Sequence, residues 1–184
     1  MDTEQAKLFD DCITRDENAL TRLVQDHQAS VFRMALSIVD DPDEAEDVTQ
    51  ETIISAINAL KNFRKGTSFK AWLYTITLNN CRSRLRKRKV LERLNLALTG
   101  LLHTNSPVPP SPEDKLVESE MDMAIWQALR SLGEKHRIPL VLRYYHELSI
   151  SDIAEILNIK EGTVHSRLSI GRERLRRILK DVLR

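Results

Sequence analysis

An all-α protein, two small helical domains joined by a proline-rich linker, is the fold class this sequence predicts. Three observations carry the expectation. Five glycines and six prolines among 184 residues are too few for a β-rich or collagenous chain. Apolar residues recur at three-to-four-residue spacing through most of the chain, the period of a helix with one buried face. Four of the six prolines fall between 107 and 112, in HTNSPVPPSPEDK, where that period vanishes. Proline fixes φ and removes a backbone donor, so an extended connection is expected over about 96–117. The domains are then about 1–95 and 118–184, and 41% hydrophobic residues can supply each with a core.

In the first domain the pattern predicts helices over 4–13, 16–39, 43–62 and 68–92. Asp41-Pro42-Asp43 is a turn that also suits a helix start, because acids in a first turn oppose the positive end of the helix dipole. Phe63 to Ser68 reads as a loop, with Gly66 or Ser68 placed to begin the next helix. In the second domain, residues 122–145 carry Ile125, Leu129, Leu132, Ile138, Leu140, Val141 and Leu142, an apolar platform. Ser149 can cap a helix whose apolar face is Ile153, Ala154, Ile156 and Leu157. After Asn158 the helix stops, and Gly162 and Thr163 open another. Two helices joined by so short a turn, resting on a third, have helix-turn-helix geometry.

The net charge of +1 hides segregation. Residues 40–51 hold seven acids and no base, residues 81–93 seven bases and one acid, and residues 165–184 seven bases and two acids. Such blocks point to one basic and one polyanionic partner. Asp47, Gln50, Glu51 and Ile54 stand at i, i+3, i+4 and i+7 and form one exposed stripe, while Ala45, Val48, Thr52, Ala56 and Leu60 face the core. The stripe suits a basic helical partner; a merely solvated acidic face explains it equally well. Phe63, Phe69, Trp72 and Tyr74 cluster before the basic run CRSRLRKRK. Aromatics beside bases suit single-stranded DNA, which offers faces to stack and phosphates to neutralise, although core positions are the favoured reading of Phe69 and Trp72. In the last helix, Val164, Leu168, Gly171, Leu175, Ile178 and Val182 fall on one stripe and should pack inward. His165, Ser166, Ser169, Arg172 and Arg176 fall on the other, the donors and positive charge with which a helix reads a major groove.

Other chemistry finds no support. Cys12 and Cys81 are far apart and lack neighbours at metal-ligand spacing, so neither a metal site nor a disulfide framework is expected, and a reducing cytoplasm is the default. The acidic MDTEQAKLFDD is not a signal peptide, and no apolar run approaches membrane-spanning length. The five histidines are scattered, with no carboxylate set and no phosphate-binding glycine loop, so neither an enzyme nor a cofactor or small-molecule substrate is expected. A conventional repressor could carry the same C-terminal pattern, but it leaves the acidic stripe and the aromatic-basic segment without a role.

In order, DEAEDVTQETIISAI, NFRKGTSFKAWLYTITLNNCRSRLRK, the proline-rich stretch and ELSISDIAEILNIKEGTVHSRLSIGRERLRR resemble a bacterial sigma factor of the extracytoplasmic-function (ECF) group. The resemblance covers nearly the whole chain. It implies a transcription initiation factor of two domains, with core RNA polymerase, promoter DNA and an anti-sigma factor as partners, in the cytoplasm or held at the inner membrane face by that anti-sigma factor. Asp47, Gln50, Glu51 and Ile54 would dock on the β′ clamp helices. Phe63, Arg64, Lys65, Gly66, Thr67 and Ser68 would pocket a flipped base of the minus-ten element, with Asn79, Arg82 and Arg86 near the melted strand. Residues 162–176, among them Thr163, His165, Ser166, Arg167, Ser169, Arg172 and Arg176, would read the minus-thirty-five element, and the second domain would meet the β flap. The linker would thread toward the active-site and RNA-exit channels. The chain departs from the family at His165, where many members have a basic residue, and at Ile170-Gly171, where Arg-Ala is usual.

Overall fold

A computed structural model of the chain describes residues 11–63, 68–102 and 120–182, without the side chains of helical residues 95–102, 120–123 and 181–182. The helices expected to start at residue 4, the loop residues 64–67, the extended connection beyond residue 102 and the side chain of Val182 therefore fall wholly or partly outside the described residues. Every regular element described is helical: α1 (Glu17–Val39), α2 (Pro42–Ala59) with a 3-10 turn (Leu60–Asn62), α3 (Phe69–Leu102), α4 (Glu120–Ser131), α5 (Glu134–Leu140) with a π turn (Val141–Tyr145), α6 (Ile150–Leu157) and α7 (Glu161–Val182). The chain divides into two compact units, Met1–Arg88 with Ser151–Asn158, and Lys89–Ile150 with Ile159–Arg184.

Aspartates set the starts of α1 and α2. Asp16 accepts from Ala19 N at 2.8 Å and Asp41 from Glu44 N at 2.8 Å, each satisfying an orphan donor of a first turn, and Pro42 follows Asp41 at the position where its missing N–H is harmless. Asp40 closes α1 in the left-handed conformation (φ 61°), its N–H bonded to Leu36 O at 2.9 Å. Packing of α1 on α2 buries Val31, Met34, Ala35, Ile38 and Val39 against Ala45, Val48 and Ala56. Each such Val, Met or Ile contributes about 1.5–3 kcal/mol by leaving water. Cys12, Leu23, Leu60, Phe63, Phe69 and Leu73 complete a cluster at the other end.

Helix α3 starts where expected, with Ser68 Oγ accepting from Ala71 N at 3.1 Å. It ends ten residues later than the expected 92, so residues 96–102 of the expected extended connection are helical. Leu, Arg and Ala in RLNLALTGLL are good helix formers, and the helix-breaking prolines begin only at Pro107. Its 34 residues make a rod about 50 Å long.

His27 sits against the Phe69 ring (centroids 5.1 Å apart), and burial lowers its pKa, opposed by the charge of Asp26. The unfolded chain therefore takes up this proton first on acidification. Stability should be complete above the ordinary histidine value of 6.5 and fall as pH drops below it. Denaturant titrations between pH 8 and pH 5 check this, and His27→Gln should flatten that part of the profile.

In the second unit α7 packs on α4 and α5. Pro139 lies inside α5. Beyond it Val141 N reaches both Arg137 O and Ile138 O, and the chain relaxes into the π turn, with His146 N bonded to Val141 O at 3.1 Å.

Candidate functional site

Ala45, Val48, Thr52 and Ala56 turn inward from α2, as the spacing predicts, and Thr52 is 0% exposed, meeting Asn80 Nδ2 through its hydroxyl at 3.1 Å. This anchoring leaves Asp47, Gln50 and Glu51 in solvent on the opposite face, with Ile54 60% exposed at the end of the stripe. Gln50 Nε2 donates to Glu46 Oε1 at 3.3 Å.

The acids and the following bases are not separate surfaces. Arg84 of α3 pairs with Asp47 and comes within 4.0 Å of Glu44 Oε1. Arg88 meets Glu44 Oε2 at 3.1 Å and Val39 O at 3.3 Å. Two of the seven bases therefore turn back to staple α3 to α2, a role periodicity could not reveal because it gives a residue's face and not what lies across it. Exposed pairs of this kind contribute about 0–1 kcal/mol each, so they orient the helices more than they stabilise them. Asn79, Arg82 and Arg86 lie at i, i+3 and i+7 along another face of α3, with Asn79 and Arg86 exposed and Arg82 half-buried.

The aromatic cluster is mostly core. Phe63 is 9% exposed and meets Phe69 edge-on (centroids 5.4 Å, planes 89°), both contact Trp72, and Tyr74 is buried. Phe63, expected at the single-strand site, is a core ring, and only Trp72 of the four is half-exposed. An apolar ring gains more from that cluster than from water. Ser68 is exposed, its oxygen already engaged as the helix cap. Arg64, Lys65, Gly66 and Thr67 lie outside the described residues.

Helix α6, the break Asn158–Lys160 and α7 follow one another as a helix-turn-helix, with Asn158 left-handed at φ 51° and the second helix opening at Glu161. Val164, Leu168 and Gly171 are buried and Leu175 and Ile178 half-buried, while His165, Ser166, Ser169, Arg172 and Arg176 are exposed, as their spacing predicts. A Cβ on Gly171 would lie 3.0 Å from Leu140 Cδ1 and 3.3 Å from His136 O, so this glycine lets α7 seat on α5. Thr163 is half-buried, and so is Arg167, whose Nε is buried without a hydrogen-bond partner and whose carbonyl lies 3.4 Å from His136 Nδ1. Arg167 thus flanks the outward stripe rather than belonging to it. Arg176 and Arg177 both approach Glu173, at 3.8 and 3.1 Å. The π turn brings an unanticipated neighbour: Arg172 Nη1 donates to Tyr144 Oη at 3.4 Å. Pro139 was the available signal, since a proline in a helical run displaces the register that follows.

Burial pushes the Cys81 thiol up to about 12 and raises that of Cys12, with Asp11 and Asp16 adding to the latter, so both stay protonated and unreactive at neutral pH. Among the described residues no group of three His, Cys, Asp or Glu side chains could hold a metal ion, and no helix is long and apolar enough to cross a membrane.

Residues 23–90 match Sigma-70 region 2 and residues 122–175 match Sigma-70, region 4, which places the chain in the class of sigma-70-type transcription factors. It is 34% identical over 172 residues to the ECF RNA polymerase sigma factor SigW of Bacillus subtilis, covering 91% of this chain and 92% of that one. It is 33% identical over 175 residues to the RNA polymerase sigma-H factor of Pseudomonas aeruginosa, with 92% and 90% covered. The sigma factor RpoE of Bartonella quintana, solved with the anti-sigma factor NepR, superposes with a TM-score of 0.67 at 28% identity, covering 87% of this chain and 96% of that one. CnrH, solved with the cytosolic domain of CnrY, shares the fold with a TM-score of 0.69 at 24% identity, covering 95% and 96%. The chain belongs to the ECF sigma factors of the sigma-70 family. It is a transcription initiation factor whose partners are core RNA polymerase and promoter DNA.

Proposed function

We propose that the two exposed stripes divide this work, and that the factor performs it without catalysis of its own. Residues 1–95 dock on the β′ clamp helices through Asp47, Gln50, Glu51 and Ile54, and hold the melted minus-ten strand with the loop 64–68 and with Asn79, Arg82 and Arg86. Residues 118–184 place α7 in the minus-thirty-five major groove and meet the β flap, and the connection from 96 to 117 threads the polymerase channels. An anti-sigma factor holds the free protein in the cytoplasm or at the inner membrane face; this rests on the likeness to the Bartonella quintana sigma factor solved with NepR. The supporting observation is that Asp47, Gln50 and Glu51 on α2, and His165, Ser166, Ser169 and Arg172 on α7, stand in solvent on helices whose opposite faces are buried.

Reconstitution with core polymerase tests this reading. Arg172→Ala or Arg176→Ala should weaken promoter binding and lower the salt dependence by about one counterion, whereas His165→Ala or Ser166→Ala should change base preference at the upstream element. Unaltered binding to promoter and random duplex by all four variants would remove α7 from the groove.

Melting is separable. Asn79→Ala should spare closed-complex formation and reduce permanganate reactivity of the minus-ten region, because its proposed partner is exposed only after unpairing. Equal reactivity of mutant and wild type on duplex promoter would count against Asn79.

A further inference from the structure

Along α7, from Glu161 to Lys180, every exposed position is polar, charged or glycine except one: Ile170, 43% exposed. It lies one turn beyond Ser166 and adjoins Ser169, with Glu173 and Arg177 at i+3 and i+7. A single apolar side chain on a surface ordinarily means nothing. Here its direction is set by its neighbour. Rolling α7 to bury Ile170 would carry it about 100° into the place of Gly171, where even a Cβ would lie 3.0 Å from Leu140 Cδ1 and 3.3 Å from His136 O. The exposed branched side chain is therefore held in solvent beside Ser166, about 40° round the helix from it, at the edge of the outward stripe.

The base edges of the major groove offer donors, acceptors and one apolar group, the C5-methyl of thymine. We propose that Ile170 reads a thymine of the upstream promoter element by packing on that methyl group, and is thus a specificity-determining residue of this factor. The inference rests on the reading of α7 as the groove helix. Serine neighbours leave room for such contact, since they are short and do not hold the helix away from the bases. Removing the methyl should cost about fourfold in affinity, the effect of exposing one buried carbon group.

The test uses holoenzyme assembled from the full chain and core polymerase. Selection from a random duplex library defines the preferred upstream element, and each thymine in it is then replaced singly by deoxyuridine, which deletes only the methyl. At one position wild-type affinity should fall about fourfold. Ile170→Ala should bind thymine and uracil there alike, while Ile170→Val, which keeps a branched methyl, should retain most of the discrimination. Equal binding of thymine and uracil at every position, or discrimination that survives Ile170→Ala, overturns the proposal. A selection that yields no upstream element overturns the groove reading and this inference together. A defined element that shifts with His165→Ala but shows no methyl dependence overturns the role of Ile170 alone.

Discussion

Reversing two charges on α2, Asp47→Lys with Glu51→Lys, should lower affinity for core RNA polymerase by about a hundredfold while leaving the helical circular-dichroism signal intact. Each reversal turns an attraction to a basic helix into a repulsion. Such an interaction is worth about 1 kcal/mol at the dielectric of water and about 4 kcal/mol at that of a protein surface, so two attractions turned into repulsions exceed the roughly 2.8 kcal/mol of a hundredfold change. Folding should survive because Glu51 is exposed and Asp47 contributes only an exposed pair with Arg84, of about 0–1 kcal/mol. Transcription should be lost from every promoter the factor serves, whereas substitutions in the DNA-reading segments should discriminate among promoters. Binding as tight as wild type in a direct titration would reduce the stripe to a solvated face and send the search for the docking surface elsewhere.

The second large effect is expected behind the recognition face. Gly171→Val should lower the melting temperature of the second unit by about 10 °C and abolish upstream-element binding while leaving polymerase docking through α2 in place. Its Cβ would meet Leu140 Cγ at 3.2 Å and the His136 carbonyl at 3.3 Å. Leu140 is itself buried and the carbonyl belongs to α5, so neither can yield far. Overpacking of this kind costs about 1–3 kcal/mol, and in a unit of this size each kcal/mol moves the midpoint by about 4–8 °C. Gly171→Ala is the informative companion. Alanine gains about 1 kcal/mol in helix propensity and loses a comparable amount in adjustment, so it should be close to neutral. Wild-type melting of the valine variant would show that α5 and α7 are less tightly seated than the distances state.

Gly171 also shows how far the sequence could be read. Its place on the inward stripe followed from spacing alone, as did those of Ala45, Val48, Thr52 and Ala56 on α2, because a helix repeats every 3.6 residues whatever it packs on. What crosses between elements did not follow. Arg84 and Arg88 read as DNA-binding charge until Asp47 and Glu44 were found opposite them. Phe63 read as a base-stacking ring until Phe69 was found at its edge. Helix α3 runs past the expected residue 92 because propensity in RLNLALTGLL is a weak signal beside the prolines that follow it. The π turn that brings Tyr144 to Arg172 depends on how a helix recovers from Pro139, and one-dimensional periodicity carries no term for that recovery.

Asp40 and Asp41, the left-handed residue that closes α1 and the extended residue that opens α2, are neighbours, so the connection has no spare residue. Loops elsewhere absorb insertions and deletions; this junction has nothing to absorb them with. One residue added there would turn α2 by about 100° about its axis or forfeit a cap, carrying Asp47 and Glu51 into the core places of Val48 and Thr52. Lineages of this protein are accordingly expected to drift freely in the identity of surface residues on α1 and α2 but to keep the number of residues between Val39 and Ala45 constant. Length is the heritable constraint at this corner, and the aim of the acidic stripe is what it protects.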